Sequence, residues 1–189
     1  MLKIPWISIL RDELDLEYGG RPRIAQLATV DHLSRPRVRS IVCRRIEDTG
    51  VLIAATDGRS AKIQQVAENA FAEWAFWLGG RRKQFRLGGP TQLIAGSATG
   101  DQKAMREAVW RELSDAARGL FVWPASGTPR GSCDLEFVTG LASDSPIPAS
   151  FNLIVTMVDE VEMLDLNPHP HERLRWRAES AWGVESVNP

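Results

Sequence analysis

Residues 36–56 read PRVRSIVCRRIEDTGVLIAAT. From Pro36 to Ile46, Arg37, Arg39, Ile41 and Cys43 alternate with Val38, Ser40, Val42 and Arg44. That period of two predicts a β-strand. Glu47-Asp48-Thr49-Gly50 then reads as a hairpin turn, and Val51 to Thr56 as the returning strand. Arg39 shares a face with Ile41 and Cys43, so a cation sits at the end of an apolar row, free to meet a ligand while its neighbours pack.

Upstream, Ile7, Leu10 and Leu14 recur at helical spacing within Pro5 to Leu16, and Gly19-Gly20 stops that helix. Arg23 to Val30 is apolar at both parities, which predicts a strand buried on both faces. Downstream, Gly58 to Asn69 turns helical, and Phe71 to Leu78 returns to strand with Phe71, Trp74, Phe76 and Trp77. Gly79-Gly80 leads into a strand from Lys83 to Ile94, and Asp101 to Leu113 is an amphipathic helix. Ala125 to Ser150, rich in Gly, Pro, Ser and Thr, predicts a long loop with a short strand at Leu135 to Val138. Phe151 to Leu166 reads as a strand or strand pair, and Leu174 to Ala178 with Trp182 to Val187 as a last hairpin. This order lacks the βαβα alternation of a doubly wound sheet. It predicts a mainly β (α+β) fold, a small antiparallel barrel with peripheral helices, over one domain spanning 1–189.

The composition narrows the function. With 189 residues, 43% hydrophobic and 25% charged, the chain is an ordinary globular one. Its apolar runs fall short of the ~18–20 residues that span a bilayer, and its start lacks the apolar core of a signal peptide. No membrane partner is expected. Cys43 and Cys133, ninety positions apart, form neither a disulfide framework nor a zinc motif, which points to the cytoplasm. A net charge of −1 argues against nucleic acid. Only four of the 23 basic residues are lysine, and the arginines gather at Arg35 to Arg45, Arg81 to Arg86 and Arg173 to Arg177. Arginine's planar fork suits phosphate and carboxylate. His169-Pro170-His171 lacks a third ligand, His32 being the only other histidine, so no metal is expected.

The chemistry concentrates in three places. Thr56-Asp57-Gly58-Arg59-Ser60-Ala61-Lys62 runs from a strand into a helix and brings two hydroxyls, a lysine and helix N–H groups together, a fit for a phosphate dianion. Arg39 lies on the neighbouring strand. Gln84, on the face of Arg86, offers a donor and an acceptor to the edge of a flat heterocycle. No GxGxxG follows a strand, which excludes a dinucleotide fingerprint.

In order, Arg39 to Arg44, Gly50 to Lys62, Asn69, Trp77, Lys83-Gln84-Phe85-Arg86 and Gly88 resemble the FMN-binding half of pyridoxamine 5′-phosphate oxidase. Val161-Glu162, Asn167 to Arg177, Trp182 and Val187-Asn188-Pro189 resemble its tail. The resemblance implies a split β-barrel homodimer with FMN between the subunits. It implies cofactor contacts from Arg39, Ser40, Ile41, Val42, Cys43 and Arg44, with Ala55 and Thr56 on the next strand. Ser60, Ala61 and Lys62 would lie at the phosphate, Gln84 at the flavin ring, and Arg173 would approach the ring from the partner subunit. His171, with His169, would face a small-molecule substrate. The chain departs from the family where an arginine is replaced by Ala61, another by His169, and a tail tryptophan by Met163. The family's Tyr, Arg and Ser for the substrate phosphate have no counterpart between Asp101 and Arg111. Two functions follow as expectations: FMN-dependent oxidoreduction by hydride transfer, or flavin, haem or deazaflavin binding in the same cleft without turnover.

Overall fold

The computed structural model describes residues 4–130 and 137–189. Helix α1 (Pro5–Tyr18) starts on proline, whose missing N–H costs nothing at that position, and ends on Gly19 at φ 54°, a left-handed cap that glycine adopts freely. There follow β1 (Arg23–Val30), β2 (Pro36–Ile46), β3 (Val51–Asp57), α2 (Ala61–Glu68), β4 (Phe71–Leu78), β5 (Lys83–Ile94), α3 (Gly100–Glu112) and α4 (Asp115–Gly119). The C-terminal part adds β6 (Phe151–Met157), β7 (Glu160–Asp165), β8 (Glu172–Arg177) and β9 (Val184–Val187). Residues 125–130 and 137–150 carry no helix or strand, as the loop composition predicts. The strand expected at Leu135 to Val138 begins outside the described residues, and Phe137 and Val138 are not in a strand.

All strand pairs are antiparallel. The order β4-β1-β2-β3-β6-β5 closes on itself through β4–β5, while β7, β8 and β9 extend the sheet from β5. β5 makes the split: residues Thr91 to Ile94 pair with β6, and Lys83 to Gly88 pair with β7. At that handover a side chain has no room. A Cβ on Gly89 would lie 2.0 Å from the Met157 carbonyl oxygen and 3.0 Å from Val158 Cα.

The barrel interior is filled. Leu27, Ile41, Cys43, Leu52, Ala54, Trp74, Phe76, Phe85, Leu87 and Ile154 form one core with Trp6, Ile7, Leu10 and Leu14 of α1. Trp74 Nε1 donates to Thr156 Oγ1 at 2.9 Å, which satisfies the one polar atom that ring carries into the core. A second core lies outside the barrel wall, where Ile53, Leu153 and Val155 meet Val109, Trp110, Leu113 and Phe121. The strand β1 departs from the expectation of two buried faces. Ala25, Leu27 and Thr29 are buried, but Ile24 is 45% exposed. Its second apolar face belongs to the outer surface, not to the core.

We expect Gly89→Ala to destabilise the fold by ~1–3 kcal/mol, because the new methyl meets backbone that cannot rotate away. A melting curve should fall by roughly 3–10 °C for a chain of this size. An unchanged melting temperature would refute this account of the split.

Candidate functional site

One face of β2 grades from core to solvent: Cys43 and Ile41 are buried, Arg39 is half-buried and Arg37 exposed. On β3, Leu52, Ala54 and Thr56 run the same way and stay buried. Both strands thus deliver polar groups to one mouth of the barrel, where α2 begins. Here Lys62 Nζ donates to Ser60 Oγ at 2.7 Å and to Thr56 Oγ1 at 3.1 Å. Ser60 Oγ donates to the Asp57 carbonyl at 2.7 Å, so it does not cap the helix, and no other side chain among the described residues does. Arg39 Nη1 donates to Thr29 Oγ1 at 2.7 Å and to the Leu27 carbonyl at 3.0 Å, and Nη2 to Gln65 Oε1 at 2.7 Å. Thr29 and Gln65, both buried, were not legible as site residues. The sign of Gln65 is its place one helical turn after Ala61, on the face toward β1.

Two cations at this mouth, Lys62 and Arg39, make no ion pair among the described residues. Burial depresses the Lys62 pKa, and the nearby Arg39 depresses it further, while Asp57 opposes the shift. Asp57 is itself engaged by Arg59, at 2.6 Å. Arg39 is pressed downward by burial and by Arg37. Arg37 is held by Asp31, which also takes the main-chain N–H groups of Leu33 and Arg35 at 3.0 Å each. Burial opposes ionisation of Asp31, yet these bonds outweigh it and hold the carboxyl below its ordinary range. A cavity of about 400 Å³ beside the mouth is lined by Arg37, Arg39, Ala61, Gln64 and Gln65 together with the carboxylates Asp31 and Glu68.

The remaining expected residues fall elsewhere. Across the outer face, register aligns Val42 with Ile24, and Trp77, Gln84, Leu164, Arg173 and Val187 in series. The adjacent row holds Ser40 against Gln26, joined at 3.2 Å. Gln84 and Arg173 line one cavity of about 210 Å³ with Arg86, Glu162 and Leu164. Glu162 ties Arg173 at 2.5 Å and Arg86 at 3.2 Å, and so fixes this face. Arg39 and Ala61 therefore line a different cavity from Gln84 and Arg173. His169 and His171 are exposed on the β7–β8 loop, where His171 Nδ1 lies 3.1 Å from the Pro168 carbonyl oxygen. Neither lines the Gln84 cavity.

Ile41 and Cys43 put their side chains into the core, and burial pushes the Cys43 thiol up to about 12, leaving it unreactive. Ala55 packs against the outer core. Arg44 sits at a bulge between Cys43 and Arg45, with its Nε buried and unpartnered among the described residues. It lines a third cavity, with Arg21, Arg23 and Glu112. No group of metal-binding side chains occurs among the described residues, and no described helix is long and apolar enough to cross a membrane.

Residues 3–95 match the family model described as pyridoxamine 5′-phosphate oxidase, FMN-binding domain. A solved pyridoxamine 5′-phosphate oxidase-related, FMN binding protein from Nostoc punctiforme is 33% identical. It superposes with a TM-score of 0.91 over 100% of both chains. The pyridoxine/pyridoxamine 5′-phosphate oxidase 2 of Arabidopsis thaliana is 28% identical over 98% of this chain and 97% of its own. PhzG from Burkholderia lata, at 20% identity and a TM-score of 0.77 over 98% of this chain and 93% of its own, shares the fold. With the split barrel, the cationic mouth and a full-length relative in agreement, the chain belongs to the pyridoxamine 5′-phosphate oxidase-related family, whose cofactor is FMN.

Proposed function

We propose that the chain is an FMN-dependent oxidoreductase acting on a small organic substrate. The observation that carries this reading is the mouth of the barrel. There Lys62, Ser60 and Thr56 converge on a helix N-terminus beside Arg39, and burial and Arg39 depress the Lys62 pKa against the opposing pull of Asp57, which is itself paired with Arg59. Lys62 and Arg39 make no ion pair among the described residues, so a dianion would answer both, and the donor set fits the FMN phosphate. Ala61 leaves the α2 N-terminus with backbone donors and no second cation at that position.

When bound, FMN supplies a ring that accepts a hydride and passes the electrons on. The chain's part is to bind and orient. Lys62, Ser60 and Thr56 hold the phosphate, Arg39 adds charge, and the Gln84 amide meets the edge of the ring. Arg173 is kept at the same cavity by Glu162, while His169 and His171 are offered to the substrate from the adjoining loop. Because Arg39 and Ala61 line one cavity and Gln84 and Arg173 another, the reading includes a homodimer that sandwiches the cofactor. The exposed apolar side chains Ile24 and Trp77, 45% and 54% accessible, support that covered face. Turnover is favoured over storage by the full-length oxidase relative. The reading takes residues 1–189 as one domain in a reducing compartment.

Purified protein mixed with FMN should become yellow, bleach with dithionite and recover in air, and substrates should then be screened, pyridoxamine 5′-phosphate first. A protein that takes up no FMN ends the proposal.

Lys62→Ala should weaken FMN by ~1.5–3 kcal/mol, about ten- to a hundredfold in Kd, and leave riboflavin nearly unaffected. The same lysine sets a pH dependence. Binding uses its ammonium form, and its pKa lies below the ordinary 10.5. Affinity is therefore full below that lowered pKa and falls as pH rises through it, ahead of the ordinary lysine range. Lys62→Arg, which keeps its charge at these pH values, should lose that alkaline limb. FMN titrations referenced to riboflavin would decide it, and a limb unchanged in Lys62→Arg would assign the titration elsewhere.

A further inference from the structure

The turn that carries Ser60 and Lys62 is held from outside the FMN-binding half. Gly58 N–H donates to the Ser150 carbonyl at 2.7 Å, and Arg59 Nη2 to the Trp123 carbonyl at 2.7 Å. Ser150 Oγ donates in turn to the Phe121 carbonyl. The fit between turn and segment is tight. A Cβ on Gly58 would fall 2.5 Å from the Asn152 amide, and β3 and β6 pair Thr56 with Asn152. The segment 148–152 therefore sets where the turn lies.

That segment is fixed from behind by Arg106 of α3. Its Nε donates to the Phe151 carbonyl at 2.7 Å and its Nη2 to the Pro148 carbonyl at 2.8 Å, two acceptors that straddle Ser150. The guanidinium lies 5.4 Å from the centre of the Phe151 ring. Arg106 is 7% exposed, and no carboxylate pairs with it among the described residues. A cation buried on carbonyls alone is a poor source of stability compared with an apolar side chain of similar length. What the fork supplies, and an apolar chain does not, is a fixed spacing between two carbonyls.

We propose that Arg106 is a positioning residue for the phosphate turn. By holding the Pro148 and Phe151 carbonyls, it sets the Ser150 carbonyl that receives Gly58 N–H, and through it the placement of Ser60 and Lys62. The proposal rests on the reading of that turn as the FMN phosphate anchor. It extends the cofactor site to α3, beyond the residues 3–95 that match the FMN-binding model.

The test compares FMN and riboflavin, which lacks the phosphate, by fluorescence quenching with the full chain, wild type against Arg106→Met, Arg106→Lys and Lys62→Ala, well below each melting temperature. Arg106→Met should weaken FMN about tenfold and riboflavin less than about twofold, with Arg106→Lys in between because an ammonium lacks the fork. Loss of both flavins alike, or of neither, would mean that Arg106 only supports the fold and would overturn the proposal. Should Arg106→Met fail to fold, the Arg106→Lys ratio of FMN to riboflavin decides in the same way. If Lys62→Ala weakens FMN while the Arg106 variants do not, this inference alone fails. If Lys62→Ala spares FMN, the phosphate reading fails first.

Discussion

The filled interior of the closed barrel is the constraint on which the rest depends. Closure of β4 onto β5 leaves the six barrel strands without a free edge, and Trp74, Phe76, Phe85 and Leu87 occupy the space within. A ligand of cofactor size has no place inside. Chemistry is displaced to where the strands run out of core, and the inward faces of β2 and β3 reach that limit at Arg39 and Thr56. The split at β5 has a parallel effect on the outside, since it turns β7 and β8 away from the barrel and sets Glu162 and Arg173 beside Gln84.

The cationic mouth is held in a condition that favours an anion. Lys62 and Arg39 feel each other's charge across a partly desolvated region, and Asp57 is occupied by Arg59. Such an arrangement costs the protein free energy that an anion bound there would return, so on the proposed reading ligand and fold are thermodynamically linked. Thr29 and Gln65 matter because they stop Arg39 from relaxing into solvent. The fork is held on neutral acceptors, which leave its positive charge undiminished.

Legibility in the sequence followed the range of the interaction. The alternation from Arg37 to Cys43 and the turn at Glu47 to Gly50 are local, and β2 and β3 form as read. The run Thr56 to Lys62 was readable for the same reason, because strand end, turn and helix start are contiguous. β1 was misread, since alternation is silent about whether a second apolar face meets a core or a partner, and Ile24 is on the outside. The short helix α4 left no apolar period to detect, and Ser114 capping the N–H of Ala117 is its main local mark. The grip of Glu162 on Arg173 and of Arg106 on Phe151 depends on register and packing between elements far apart in sequence. No spacing rule reaches them.

The arginines show how a structure separates ligand-binding candidates from scaffold. In the cluster Arg35 to Arg45, Arg35 and Arg37 share Asp31, and Arg45 pairs with Glu112. Arg81 pairs with Glu13, Arg86 with Glu73, Arg175 with Glu185 and Arg177 with Glu160, so the other two clusters are largely neutralised on their own surface. Such pairing removes the coherent positive field that a nucleic-acid surface would need. Within the first cluster, Arg39 and Arg44 make no ion pair among the described residues, although carboxylates line the same cavities. Arg39 lines the cavity at the mouth, and Arg44 lines another with a buried, unpartnered Nε. Burial without a counter-ion costs a cation free energy in the empty protein, and an arriving anion relieves that cost. By that criterion Arg39 and Arg44 of β2 stand apart from the neutralised arginines of their own cluster, and Arg39 does so beside Lys62 at the start of α2.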